Sequence, residues 1–306
     1  MRHFAVKPGY LLARINQIYV ALHGDLSQGE TPAQAEFLLL LAGSEKPDQI
    51  SLARAAGVDT STTALVLDNL ATRGLIRRDS DPDDRRRSIL SLTPAGRRKL
   101  VGLRGSFLET QAQLVAPISG ADVAALVSML RQIGANPLCP APIWIPEDRH
   151  DGIGGNVVTR SPGFVCRRAL QVSEAYFLAC TAALHLTPRQ YSALFIVNRQ
   201  PQLSQAGFSR IFGLDPATCA VIMKNLAGRG LLERKVSSED RRERLYSLTP
   251  AGKQALQAGR PMVDKSERLV LHGLAKPQVQ QLVAWLQRIA RAHLHRLAFP
   301  GLCFGE

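Results

Sequence analysis

The chain has 306 residues, enough for about two domains of ordinary size, with 45% apolar and 6% aromatic residues and a mean hydropathy near zero. No apolar run reaches the roughly 18–20 residues that cross a bilayer, the opening MRHFAVKPGY lacks the apolar core of a secretory signal, and Cys139, Cys166, Cys180, Cys219 and Cys303 lack Cys-x-x-Cys spacing, which argues against a disulfide framework or zinc site and for a reducing cytoplasm. The net charge is +13 with an isoelectric point of about 10.1, which favours a polyanionic partner, and it is uneven: residues 1–153 carry 17 Lys+Arg against 16 Asp+Glu (net +1), residues 154–306 carry 21 against 9 (net +12).

In chain order, an amphipathic stretch from Gly9 to about Gly24 predicts a first helix. TPAQ at Thr31–Gln34 predicts the start of a second, because Thr caps, Pro suits the first helical position and Gln three residues on completes a capping box. A short helix at 48–56, a turn at Gly57 and a helix from about Thr60 to Arg73 follow, the last closed by Gly74 in a left-handed cap. LIRRDSDPDDRRRSILSL then changes from helical to alternating period, which predicts two short strands around a polar tip. Thr93-Pro94 opens a helix to about Val115, and a last helix covers about Ala121 to Ile133.

The same order is then written again. DPDDRRRSILSLTPAG (Asp81–Gly96) and SSEDRRERLYSLTPAG (Ser237–Gly252) are related by a shift of 156 residues. That shift also carries Thr31-Pro32 onto Thr187-Pro188, Asn69-Leu70-Ala71 onto Asn225-Leu226-Ala227, and Arg73-Gly74-Leu75 onto Arg229-Gly230-Leu231. Pro8-Gly9 matches Pro162-Gly163 with a shift of 154. So long a period is a domain duplication. It divides the chain into copy 1 (1–133), a Pro- and Gly-rich linker (134–162) and copy 2 (163–306). Within the linker, Trp144 between Ile143 and Ile145 predicts that part of it packs down.

Short helix, glycine turn, second helix and two-stranded hairpin make a winged helix-turn-helix. The fold class expected is mainly α with small β-hairpin wings: two winged helix-turn-helix domains joined through a shared helical, dimerisation-like region. Double-stranded DNA is the partner this order implies. The second helix suits a major groove, its candidate contacts being Ser61, Thr62 and Thr63 in copy 1 and Thr218 and Lys224 in copy 2. The wing tips carry Arg85, Arg86 and Arg87, and Arg241, Arg242 and Arg244, which can enter a minor groove. Asp84 and Asp240 cannot favour DNA by charge and are read as braces for the wing. The apolar stripes Leu126, Leu130, Ile133 and Leu282, Leu286, Ile289 on the last helices require burial, and the tethered second copy stands at high effective concentration.

The two wing stretches, with PGYLLARINQ, TPAQAEFLLLL, TPRQYSALFIV and LDNLATRGLIRR, resemble the MarR family over nearly the whole chain apart from the linker. The resemblance implies a cytoplasmic, nucleoid-associated bacterial regulator, most often a repressor. It further implies a single-chain pseudo-dimer, monomeric as a chain, that answers a small aromatic or phenolic effector. By the same resemblance Arg14 and Arg168, with Tyr10, Tyr19 and Tyr176 near them in sequence, are the candidate ligand residues; a surface or ion-paired role for the arginines stands beside that reading. Where many relatives carry a guanine-reading arginine, this chain has Leu65 and Val221, which either touch a thymine methyl or pack inwards. Cys166 lies where some relatives sense peroxide, or is an inert core thiol. No Ser/His/Asp arrangement, carboxylate pair, phosphate loop or metal cluster is written here, so no catalysis, cofactor, metal or membrane partner is expected. The alternative function is a ligand-binding or protein-interaction pseudo-dimer whose DNA affinity has weakened in copy 1.

Overall fold

A computed structural model of the chain describes residues 3–27, 29–82, 84, 88–145, 155–238 and 242–301. Helices α1 (Pro8–Leu26), α2 (Pro32–Gly43), α3 (Gln49–Ala56) and α4 (Thr60–Thr72) are followed by strands β1 (Ile76–Ser80) and β2 (Ser88–Leu92), then α5 (Pro94–Val115) and α6 (Gly120–Gly134). The short helix α7 (Gly155–Thr159) lies in the segment read as linker. The order then repeats as α8 (Pro162–Cys180), α9 (Pro188–Arg199), β3 (Leu203–Ser204), α10 (Gln205–Phe212), α11 (Pro216–Gly228), β4 (Leu232–Val236), β5 (Arg244–Leu248), α12 (Pro250–Val270) and α13 (Lys276–His293).

The local chemistry is that of the sequence signals. Thr31 and Thr187 each complete a capping box with Gln34 and Gln190. The amides of those glutamines then reach Asn69 at 2.7 Å and Asn225 at 2.9 Å, tying α2 to α4 and α9 to α11. Gly74 and Gly230 take positive φ (67° and 69°) just past α4 and α11, where a Cβ would be strained.

The repeated Leu-Thr-Pro-Ala-Gly has one structural task. Thr93 Oγ1 accepts from Gly96 N, capping α5, and donates to Gly74 O, while Thr93 N donates to Leu75 O; Thr249 makes the same set with Gly252, Gly230 and Leu231. A Cβ at Gly96 or Gly252 would collide with the Leu75 or Leu231 carbonyl oxygen. The motif therefore locks the root of each wing to the end of the helix before it.

β1 and β2 pair antiparallel from Ile76↔Leu92 to Ser80↔Ser88, and β4 and β5 from Leu232↔Leu248 to Val236↔Arg244. In copy 2, β3 adds a third strand through Leu203↔Tyr246. Copy 1 keeps only a trace of it, the bond from Leu90 N to Pro47 O at 2.8 Å.

Two compact units result, and they are not the two sequence copies. Unit 1 gathers Met1–Leu11, Ser173–Leu274 and Arg291–Glu306; unit 2 gathers Leu12–Val172 and Ala275–Ala290. Helices α1 and α8 are thus each divided between units. Unit 1 is built on the second winged domain, and its core joins Phe4 to Leu194, Ile196, Phe208, Phe212, Met223 and Tyr246. Unit 2 is built on the first. Its buried residues include Leu12, Ile15, Leu38, Leu67, Phe107 and Phe164, and the apolar stripes of both α6 and α13 are buried in it.

Part of the linker is core. Trp144 is only 6% exposed; its indole N–H donates to Ala55 O at 3.0 Å, and Arg131 lies over its ring. Ile145 N donates to Arg54 O, while Ile143 and Ile145 on either side remain exposed. Among the described residues no single helix is long and apolar enough to cross a membrane.

Candidate nucleic-acid interface

Helices α4 and α11 start from matched caps. Asp59 Oδ1 accepts from Thr62 N and Asp215 Oδ1 from Thr218 N, both at 2.8 Å. Hydrogen bonds from the Ser61 hydroxyl and from Thr62 hold the Asp59 carboxyl at about 2, below its ordinary 3.8; the Thr218 side chain and amide lower Asp215 in the same direction. The cap places an acid at the turn that would face DNA, and it engages Ser61, whose hydroxyl donates to Asp59 at 2.5 Å.

The candidate contacts divide sharply. Ser61 and Thr62 are exposed, Thr218 half-buried and Lys224 exposed. Thr63 is a correction: it is fully buried, as is Cys219 at the matching place in copy 2, so neither side chain reaches a base. The helical period puts position 63 with Leu67 and Leu70 on the core side. Leu65 and Val221 are 71% and 68% exposed, so neither packs inwards. An apolar side chain held out at one position on both helices can meet a thymine methyl in a major groove.

Of the wing candidates, Arg85, Arg86, Arg87, Asp240 and Arg241 lie outside the described residues. Asp84 is exposed between β1 and β2, Arg242 is exposed before β5, and Arg244 is half-buried as the first residue of β5.

The strands carry cations that the sequence reading passed over. In copy 1, Arg78 on β1 pairs with Asp68 on α4 at 2.7 Å, and Arg77 pairs with Asp79 at 2.9 Å while donating to Ser91. The first of these pairs joins the exposed face of α4 to the wing. In copy 2 the positions of Asp68 and Arg78 are held by Lys224 and Arg234, both exposed. Lys235 lies 3.7 Å from Glu233, with its side chain 74% exposed, an ion pair of little strength. The signal was present in LIRRDS and LLERKV: consecutive cations on an edge strand next to a wing. Copy 1 spends its strand cations on its own acids; copy 2 presents them.

The candidate ligand residues divide between the two units. Tyr10 and Tyr176 belong to unit 1, and Arg14, Tyr19 and Arg168 to unit 2. Arg14 is buried and donates to Gln17 at 2.8 Å. Arg168 is buried and donates to Gly134 O at 3.0 Å and Gly57 O at 3.4 Å; burial pulls its pKa down to about 10. Tyr10 packs with Phe4 and Phe212 in the core, and Tyr176 is buried. Tyr19 is fully buried and donates to Glu36, whose carboxylate also receives Arg167 Nη2 at 2.8 Å. Burial raises the Glu36 pKa against the opposing pull of Arg167. In unit 2 Tyr19, Glu36 and Arg167 bond to one another, and Arg14 and Arg168 are buried against Gln17 and backbone carbonyls. Cys166 is buried, and desolvation pushes its thiol up to about 12, which makes it an inert core thiol. Among the described residues no cluster of His, Cys, Asp and Glu could hold a metal ion.

Comparison with known proteins finds the MarR family in both halves, at residues 31–88 and 185–243. A transcriptional regulatory protein for the hcr operon of Thauera aromatica is 32% identical over 107 residues, which are 35% of this chain and 64% of that relative's length. Among solved structures, the repressor CouR bound to a 23-mer DNA duplex is 29% identical, covering 42% of this chain and 92% of its own, with a TM-score of 0.40. PcaV from Streptomyces coelicolor, in complex with its natural ligand, is 26% identical, covering 43% of this chain and 92% of its own, with a TM-score of 0.41.

Proposed function

We propose, from the MarR-family matches at residues 31–88 and 185–243, that this chain is a DNA-binding transcriptional regulator acting as a single-chain pseudo-dimer, a repressor released by a small aromatic effector. The carrying observation is the surface shared by the second helix and the wing in each domain, bridged by Asp68 and Arg78 in one and presented as Lys224 and Arg234 in the other. Phosphate contacts from these cations supply affinity, and Leu65 and Val221 supply base discrimination through thymine methyls. The division of α1 and α8 between the units supports the pseudo-dimer, which needs no second chain. A cytoplasmic, nucleoid-associated location goes with this reading, as does binding without catalysis.

A second reading draws on copy 1. The net charge of +1 over residues 1–153 and the internally paired strand cations favour a ligand-binding or protein-interaction pseudo-dimer whose DNA affinity has weakened, mainly in copy 1. Fluorescence anisotropy with mixed-sequence duplex at low and moderate salt separates the two. The regulator binds, weakens steeply with salt, and loses affinity when Lys224 and Arg234 become Ala. Absence of binding, or indifference to those substitutions, overturns it.

A further inference from the structure

The carbonyls at the end of a helix have no donors in a following turn and must be met from outside it. At the end of α3 four in succession are met by distant parts of unit 2. Arg54 O receives Ile145 N at 3.1 Å and Ala55 O receives Trp144 Nε1 at 3.0 Å. Ala56 O receives Arg167 Nη2 at 3.0 Å, and Gly57 O receives Arg168 Nη1 at 3.4 Å.

The donors are themselves fixed. Arg167 bonds Glu36 Oε2 at 2.8 Å and lies 4.8 Å over the Phe164 ring, which also packs on Trp144. Arg168 is buried and spans two helix ends, donating through Nε to Gly134 O at the close of α6 and through Nη1 to Gly57 O past the close of α3. Both ends carry the negative pole of a helix dipole, which favours a cation. The contact is close. A Cβ at Gly57 would stand 3.1 Å from Arg168 Cδ and 3.2 Å from Trp144 Cβ, and one at Gly134 only 2.8 Å from Arg168 Cγ.

Gly57, at φ 60°, is the turn of the first helix-turn-helix, and α4 begins three residues later at Thr60. Whatever holds the end of α3 and this turn sets the direction in which α4 leaves. All four donors lie outside residues 1–133: Trp144 and Ile145 in the linker, Arg167 and Arg168 on α8. The linker occurs once, and the 154-residue shift of the first helices sets Ala13 at the place of Arg167. Three of the four donors therefore have no counterpart in the repeat.

We propose that the linker and α8 form a strap that sets the pose of α4, with Trp144, Arg167 and Arg168 as positioning residues for DNA reading by the first winged domain. They act through Gly57 and the end of α3, without touching DNA. The first domain thus takes its reading pose from sequence written after its own repeat. What α4 meets rests on the regulator reading; the strap itself does not.

Two variants of the full chain test this. Trp144→Phe keeps an aromatic ring and drops the donor. Arg168→Met keeps the stem and strands no carboxylate, because among the described residues Arg168 bonds only carbonyls and Gln171. In each, amides 58–63 exchange hydrogen about tenfold faster, while 214–219 at the matching place in copy 2 keep their rate. Binding is then measured on a duplex that the parent chain selects from a random pool. Each variant binds about tenfold more weakly and becomes indifferent to base changes in one half-site, staying sensitive to those in the other. A general loss of stability would weaken both half-sites alike. Ile143→Ala, at a 67% exposed position of the same strap, changes neither reading. Unchanged exchange at 58–63, an equal rise at 214–219, or an equal effect on both half-sites overturns the proposal. A parent chain that selects no duplex overturns the regulator reading instead, and exchange alone then decides the strap.

Discussion

The two winged domains share their scaffold almost bond for bond and differ in what they do with charge. Thr31 and Thr187, Thr93 and Thr249, and the glutamine–asparagine ties repeat with distances within a few tenths of an ångström. On the same scaffold, copy 1 faces Arg78 with Asp68 where copy 2 sets Arg234 near Lys224 in sequence register. The interior diverges too. Tyr19, Glu36, Gln111 and Arg167 in unit 2 correspond by the repeat to Ser173, Ser192, Glu267 and Ala13, so the buried Tyr19–Glu36–Arg167 network is not repeated. Duplication within one chain removes the requirement that both halves serve every task. Backbone-determining residues are retained because each copy must fold; side chains on the free faces are released.

The largest expected difference between the halves concerns stability. Trp144→Ala removes a buried ring that packs on Gly57, Gly134 and Phe164, all in unit 2. A loss of about 3–5 kcal/mol is expected there, with the second winged domain retaining its protection from hydrogen exchange; equal loss of protection in both units would break the comparison. Next comes DNA affinity. Lys224→Ala with Arg234→Ala should weaken binding on the order of 30-fold at low salt and reduce the salt slope by about 2. Arg78→Ala, whose charge is already met by Asp68, should cost about threefold or less. Similar losses from both, read by anisotropy across a salt series, would show that the pairing in copy 1 opens on DNA.

A smaller effect sharpens the same contrast in the opposite direction. Asp68→Lys restores to copy 1 the charge of copy 2 and frees Arg78, so affinity should rise about five- to tenfold. The smallest effect is one that both halves share. Asp59 and Asp215 cap as carboxylates with lowered pKa values, so their stabilisation is complete above the ordinary 3.8 and fades as pH falls, for Asp59 towards about 2. Asn substitution at either site should flatten the acid limb of the thermal midpoint below pH 4 by similar, small amounts. A marked inequality would mean that the caps, unlike the rest of the scaffold, have diverged.

Much of the fold was legible because its determinants are local. Thr-Pro, the glycines after α4 and α11, and the change of period at each wing act within a few residues of themselves. Partner choice was not legible. A repeat aligns Pro8–Leu11 with copy 1, yet those residues pack in the unit of copy 2, because the sequence states that a helix has an apolar face and not which face covers it. The site was legible in part. Arginine in a first helix reads equally as ligand or bolt, and only the Gly134 and Gly57 carbonyls around Arg168 decide for the bolt. Position 63 was misjudged because near a helix start one residue's rotation separates groove from core.

Trp144 has one more consequence, an optical one. The chain has two tryptophans, and both Trp144 and Trp285 lie buried in unit 2. Intrinsic emission excited at the red edge therefore watches one half of the molecule while the other stays dark. Tyr191, Tyr246, Tyr10 and Tyr176 lie in the dark half. A melt followed in both channels would reveal, without any label, whether the halves come apart together or in turn.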